Sequence, residues 1–314
     1  MRRALLLPNP SASGFTGFRF RGVLSALRES FDGEAAGAEG PDEAVRTARR
    51  AAEDGFDVVI AMGGDGVVHQ AANGLVGTDT ALGLVPAGTT NVLARILGLP
   101  GGAESAARAI AGYEPDQITL ARLTEIDAQH SGRQRQPRYA VFGLGIGFDA
   151  DVVERAERRP HSKLRFGSVH YASTAVTQVF GAYRRRLPTL RVLCDDRRID
   201  AVAVMVQVHD RYTYFGKVPL FVTSQPTAGP TAVAIEDVSP SKAVSILRHA
   251  VTRRSLEQAP GCVVMRDFER LVVEADPAAA AQADGEHLGA GSQFEITPAR
   301  DVLRILAPPL PDAL

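Results

Sequence analysis

AMGGDGVVHQAANGL, residues 61–75, sets three glycines around one carboxylate, Asp65, between an apolar run and an amphipathic one. The run that leads into it, FDVVIAM (56–62), is continuous and rich in β-branched residues. That is the pattern of a strand buried on both faces of a parallel sheet. The residues that follow carry helical spacing, so the stretch reads as strand, glycine turn, helix.

The same grammar extends to either side. RALLL (3–7) reads as a strand and FRFRGVLSALRES (18–30) as a helix with Phe20, Val23, Leu24 and Leu27 on one face. PDEAVRTARRAAEDG (41–55) opens on Pro and acids and closes on Gly55, the marks of a capped helix. ALGLVP (81–86) is a second buried strand, and TNVLARILG (90–98) a helix stopped by Gly98. Strands alternating with helices predict βαβ units on a parallel sheet. From about residue 117 the pattern changes. QITLARLTEI and PRYAVFGLGIG read as strands, HSKLRFGSVHYASTAVTQVFGAY (161–183) as a long helix, and most of the rest as short strands: LRVLCDD, RIDAVAVMVQV, KVPLFVTS, CVVMRDF, RLVVEAD and FEITPARDVLRILAP. Short strands between turns predict a sandwich or barrel. The expected organisation is an α/β domain over 1–120 and a β-rich domain over 121–314, whose last few residues are candidates to return to the first domain.

The bulk composition excludes several classes. At 314 residues the chain is too long for one ordinary core, and 45% hydrophobic with 23% charged residues is a globular composition. A net charge of -1 argues against a nucleic-acid partner. Two cysteines, Cys194 and Cys262, form neither a disulfide framework nor a metal motif, and idle thiols in a reducing cytosol are the plain reading. In MRRALLLPNP, Pro8 and Pro10 cut the apolar run too early for a signal peptide, and no stretch is long enough to span a bilayer. The expected location is the cytoplasm, with peripheral contact at the inner membrane face.

Three loops share the layout strand, polar or glycine-rich loop, helix: PNPSASGF (8–15), GGDG (63–66) and PAGTTN (86–91). In a parallel sheet all three open onto the carboxyl edge, where ligands bind. Glycines let the backbone approach a ligand, and a helix N-terminus offers unpaired N–H groups. Together they predict a cradle for phosphate oxygens, with Thr89, Thr90 and Asn91 as N-caps and as donors. There is no Walker sequence and no G-x-G-x-x-G with a later acid. Asp65 would repel a bare phosphate, a conflict that a divalent cation between them relieves, as in phosphoryl transfer.

GGDGVVHQAANGL, PAGTTNVLAR, GLGIGFDADV and DGEHL, together with the opening NPSASG, resemble in order the core motifs of the diacylglycerol kinase and sphingosine kinase family of lipid kinases. The resemblance runs from residue 9 to residue 288. It implies a Rossmann-like nucleotide domain of the NAD kinase and diacylglycerol kinase type, followed by a β-sandwich lipid domain. It further implies ATP and Mg2+ as cofactors and transfer of the γ-phosphate to the hydroxyl of diacylglycerol or a sphingoid-like lipid. By position, Asn9, Ser13, Gly63, Gly64, Gly66, Gly88, Thr89, Thr90 and Asn91 would bind ATP. As catalytic residues, Asp65 would hold the metal, Glu286 would face the phosphates and metal from the second domain, and Asp151 of the A-D-V segment would be the base. Asp149 and Asp151 alternatively cap a helix beginning near residue 152.

The sequence also departs from the family. Val67 stands where many members have Thr, though the sphingosine kinases also have an apolar residue there. Val92 stands where many bacterial diacylglycerol kinases have Asp, and Thr119 where those enzymes read I-D-L. QPTAGPTAV (225–233) replaces an Asp-Asp-Gly segment, which puts a structural metal in question. An NAD kinase-like metabolite kinase and a nucleotide-binding regulatory protein without activity are the alternative readings. The expected partners are a lipid alcohol and an anionic membrane surface, met by Arg155, Arg158, Arg159, Lys163, Arg165 and Arg184–Arg186, with a homodimer as a further candidate. The histidines show no ligand spacing and read as satisfied or solvent-facing side chains, with His69 bordering the site.

Overall fold

The computed structural model describes residues 1–38, 40–127, 133–134, 136–148, 150–151, 188–224 and 229–309. The helix expected over 161–183, Asp149, and the basic cluster from Arg155 to Arg186 lie outside the described residues. The chain divides into two compact units, one of Met1–Thr119 joined by the chain from Arg300 on, the other of Leu120–Ala299.

The first unit is built on β1 (Arg2–Pro8), α1 (Gly17–Arg28), β2 (Phe31–Ala35), α2 (Pro41–Glu53), β3 (Val58–Gly63), α3 (Asp65–Leu75), β4 (Ala81–Pro86), α4 (Val92–Ile96) and α5 (Ala103–Ile110). Its parallel strands run in the order β2-β1-β3-β4. Every residue of β3 and β4 is buried, as their unbroken apolar runs require. Thr16 caps α1 by accepting the Arg19 N–H at 3.1 Å. Pro41, Asp42 and Glu43 open α2, whose Ala44, Ala48 and Ala51 turn inward. Gly74 lets α3 press against α2, since a Cβ there would meet the Val45 carbonyl at 2.6 Å and the Ala48 Cβ at 2.7 Å.

The second unit contains β5 (Pro115–Asp127, which enters from the first), β6 (Arg133–Gln134), β7 (Arg138–Ala140), β8 (Gly143–Gly147), β9 (Leu190–Cys194), β10 (Arg197–Ala201), β11 (Ala203–Gln207), β12 (Thr213–Phe215), β13 (Val218–Leu220), β14 (Thr231–Ile235), α6 (Pro240–Arg248), a π-turn (His249–Arg253), β15 (Cys262–Met265) and β16 (Leu271–Ala283). Last comes β17 (Glu286–Leu306), whose residues from Arg300 on belong to the first unit. There Ile305 lies in parallel register with Leu82 of β4, and Leu303, Ile305 and Leu306 are buried.

Antiparallel order in the second unit is β15-β14-β11-β8-β16-β17, with β9 between β16 and β10. Alternation along β11 sorts two cores. Val204 and Val206 join Phe268, Leu271, Val273 and Phe294, while Ala203 and Met205 meet Tyr212, Val222 and Ile246. The chain is thus an α/β domain followed by a strand-rich one.

Two runs that read as single strands are each broken. RIDAVAVMVQV divides at Val202 into β10 and β11, and PRYAVFGLGIG divides at Val141 and Phe142 into β7 and β8. The second break has a visible cause. Buried Asp284 accepts the N–H groups of Val141 and Phe142 at 2.8 Å each and of Gly143 at 3.1 Å, drawing that backbone toward the β16–β17 turn.

Candidate functional site

β1, β3 and β4 are neighbours and end in register, Pro8 opposite Met62 and Gly63 opposite Pro86. Their three loops therefore leave the sheet side by side and are stitched together. Asn9 donates its N–H to the Met62 carbonyl at 2.8 Å, and Gly14 and Ala87 donate theirs to the Ala87 and Gly63 carbonyls, also at 2.8 Å. Asn9 Oδ1 accepts the Ser11 N–H at 3.0 Å, turning the first loop, and Ser13 Oγ lies 3.0 Å from Thr89 Oγ1. Thr90 follows on the third loop, half-buried.

Gly64 and Gly88 pack backbone on backbone, and Gly63 packs against side chains. A Cβ on Gly88 would lie 2.5 Å from the Gly64 Cα, and one on Gly63 would lie 2.6 Å from Val67 Cγ1 and 3.1 Å from Asn9 Cβ. No side chain fits at Gly63 or Gly88, so the second and third loops meet main chain to main chain at Gly64 and Gly88. Val67 is itself buried.

Asp65 is not a loop residue. It is the first residue of α3, with Gly64 as the N-cap and Gly66 in the same turn. Its Oδ1 accepts the N–H of Val92 at 2.6 Å, so one carboxylate in the first turn of α3 also holds the start of α4. The capping expected of Thr89, Thr90 and Asn91 holds for Asn91 alone, and by position only. Neither Thr89 nor Thr90 caps α4, and the N-cap is Asn91, with φ 50° and ψ 58° and no capping bond of its own. Its amide instead clips the loop, accepting the Gly88 N–H and donating to the Gly88 carbonyl, both at 2.9 Å. The left-handed backbone suits Asn better than most residues. The helix expected over 90–98 shortens to α4, and the Val92 side chain is buried.

In the second unit, Asp151 sits on a half-buried helical turn after the end of β8. Glu286, also half-buried, opens β17 after the turn of Asp284 (φ 53°) and Gly285 (φ 83°). The ladder places Leu144 opposite Ala283 and Ile146 opposite Ala281. Glu286 thus lies toward the beginning of β8, and Asp151 follows its end.

Sequence reasoning missed Asp284. It is the first residue of the turn before β17, yet it is 3% exposed and gathers three backbone N–H groups. His209, expected with the other histidines to be satisfied or solvent-facing, is instead buried with no partner for its Nε2. Burial pushes its pKa from 6.5 down to about 4, against the Asp284 carboxylate and the Val141 backbone, both of which favour the protonated ring. His69 is buried on α3. Burial raises both thiols above their usual range, Cys262 to about 12.

The fold is an α/β one whose parallel sheet carries, at its carboxyl edge, the three stitched loops and the N-terminus of α3. Residues 3–123 match the family model of the diacylglycerol kinase catalytic domain. Over 117 residues the chain is 38% identical to a diacylglycerol kinase of Mycobacterium tuberculosis, covering 36% of this chain and 35% of that one. The matched stretch thus spans about a third of that relative. A diacylglycerol kinase structure from Bacillus anthracis superposes with a TM-score of 0.70 at 17% identity, covering 98% of this chain and 97% of that one. Yeast NADH kinase complexed with NADH gives 0.51 at 9% identity, over 98% and 84%. The two structures show the shared fold. Residues 3–123 are thus similar to the diacylglycerol kinase catalytic domain, and the chain as a whole shares the fold of the two structures.

Proposed function

We propose that this protein is an ATP-dependent lipid kinase that transfers the γ-phosphate to a hydroxyl of diacylglycerol or a sphingoid-like lipid. The observation that carries the reading is the cradle itself: three adjacent, stitched loops at the sheet edge, two of which meet main chain to main chain at Gly64 and Gly88. Phosphate oxygens need dense N–H groups and tolerate no intruding side chain, and the N-terminus of α3 adds a favourable dipole. Ser13, Thr89 and Thr90 bring hydroxyls to the same rim.

Magnesium fits this donor set. It is usually held by one or two carboxylates while phosphates and water complete its shell, and Asp65 is a carboxylate already fixed at the cradle. Among the described residues, no group of three or more acidic, histidine or cysteine side chains gathers to hold an ion by protein alone. When bound, the ion neutralises charge developing on the phosphoryl oxygens. The protein's part is to orient the nucleotide through the loops and to accept the proton of the lipid hydroxyl. Asp151 is assigned that last role and Glu286 a place facing the phosphates, both on the strength of the motif resemblance. Among the described residues no helix is long and apolar enough to cross a membrane.

The test is incubation of the purified protein with γ-labelled ATP, Mg2+ and a panel of detergent-dispersed lipid alcohols, with NAD as a parallel acceptor. Labelled lipid phosphate is the expected product. NADP formation would move the protein to the NAD kinase reading, and ATP binding without transfer would make it a regulator. In the same assay Asp151→Asn should keep ATP affinity and lose most of kcat. A variant that turns over normally but melts earlier would reduce Asp151 to a helix-start residue.

A further inference from the structure

PSKAVSILRHAVTRR, residues 240–254, carries Lys242, Arg248, Arg253 and Arg254 and not one carboxylate. It folds into α6 and the π-turn after it. Ile246 and Ala250 turn inward, joining Tyr212, Val222, Val233 and Ile235. The outer face is built differently. Val244 is 67% exposed and Leu247 is 55% exposed, three residues apart and so neighbours on the helix surface. Val218, 40% exposed, starts β13, which packs against the π-turn.

Cations surround these aliphatic side chains. Lys217, Arg248, Arg253 and Arg254 are exposed, and the Arg254 guanidinium rests over the Phe221 ring at 5.6 Å. Lys242 is engaged with Asp237 at 3.0 Å.

A lone exposed aliphatic residue needs no explanation. Aliphatic residues on one helix face, rimmed by arginines in a stretch free of acids, have the composition of a helix that lies in a bilayer interface. A protein-binding face of this size would be expected to carry aromatic anchors, and none lies between residues 240 and 254. We propose that the outer face of α6, with the π-turn and the start of β13, docks the protein on an anionic lipid bilayer. Val244 and Leu247 enter the boundary between headgroups and acyl chains, and Arg248, Arg253, Arg254 and Lys217 meet the headgroup phosphates. The proposal rests on the lipid-kinase reading only for why a bilayer is visited.

The experiment is co-sedimentation of the full chain, without ATP, with vesicles of phosphatidylcholine alone or mixed with phosphatidylglycerol. Binding to the anionic vesicles alone is expected, weakening as salt is raised. The double variant Val244→Glu/Leu247→Glu should bind about ten-fold more weakly or worse, with unchanged thermal unfolding because both positions are exposed. Arg248→Gln and Arg253→Gln should each cost about five-fold. Failure of the parent protein to bind the anionic vesicles would overturn the proposal. So would undiminished binding by the double variant, or loss of binding only when Arg184, Arg185 and Arg186 are changed to Gln. Phosphorylation of a detergent-dispersed lipid alcohol is read separately. If the parent binds vesicles through α6 yet phosphorylates nothing, the kinase reading falls and the docking surface stands.

Discussion

Asp65 has two tasks that one substitution can separate. Its Oδ1 accepts the Val92 N–H, and its charge stands at the N-terminus of α3 beside the glycine cradle. Asp65→Asn keeps an acceptor oxygen and removes the charge. If the charge organises magnesium, turnover should fall by about a hundred-fold or more while the melting temperature stays close to the parent's. Asp65→Ala should in addition lose about 1 kcal/mol, as capping residues do. Unchanged turnover in Asp65→Asn would leave only the structural task. His209 offers a second test, on stability. Its folded pKa of about 4 lies below the ordinary 6.5. Between those values the unfolded chain takes up a proton that the native chain refuses, so its contribution is undiminished above pH 6.5 and is lost as pH falls toward 4. The loss should approach ~3 kcal/mol, at 1.36 kcal/mol per pKa unit. Denaturant titrations from pH 7 to pH 4 on the parent and on His209→Leu measure it as the difference in slope. Equal slopes would mean that the imidazole titrates normally.

At the level of elements, the informative object is the third loop. Gly88, Asn91 and the first residue of α4 form one clipped turn held from α3 by Asp65. Gly88→Ala sets a Cβ 2.5 Å from the Gly64 Cα, a backbone contact that no rotamer can relieve. The loops must part, and ATP affinity, measured calorimetrically, should fall at least about ten-fold, since removing a few well-placed hydrogen bonds to a charged group costs that much. Gly101→Ala, where nothing lies within 4 Å, is the matched control. Strand, glycine turn and helix were all legible at GGDG, because each is encoded within a few neighbouring residues. The clip was not, since Asp65 and Val92 are separated by a helix and a strand. β2 was missed as well. FDGEA buries only Phe31, so it has no alternating pattern and is a strand by virtue of its edge position beside β1.

Across the whole molecule, β17 has the widest consequence, because one strand serves both units in succession. Ending the chain at Ala299 would strip β4 of its outer neighbour and remove buried Leu303, Ile305 and Leu306. Full burial of such side chains contributes roughly 1.5–3 kcal/mol each, which together approaches the whole stability of a typical domain. The truncated protein should lose ATP binding and the cooperative unfolding of its first unit, as read by calorimetry. A truncated chain that binds ATP with parental affinity would show the last strand to be dispensable.

The sequence by itself determined the class of fold and the place of the cradle. Hydrophobic period and glycine position are local properties, and a parallel sheet sends every βα loop to the same edge. Tertiary structure alone decided which polar groups are structural. Asp284 reads as a turn residue until the fold brings Val141, Phe142 and Gly143 to it across more than 140 residues of chain. The same holds for His209, whose titration is set by burial, and for Val244 and Leu247, whose exposure depends on which side of α6 meets β11 and β14. Local patterns encode local geometry. Desolvation and long-range hydrogen bonds exist only once distant segments have met.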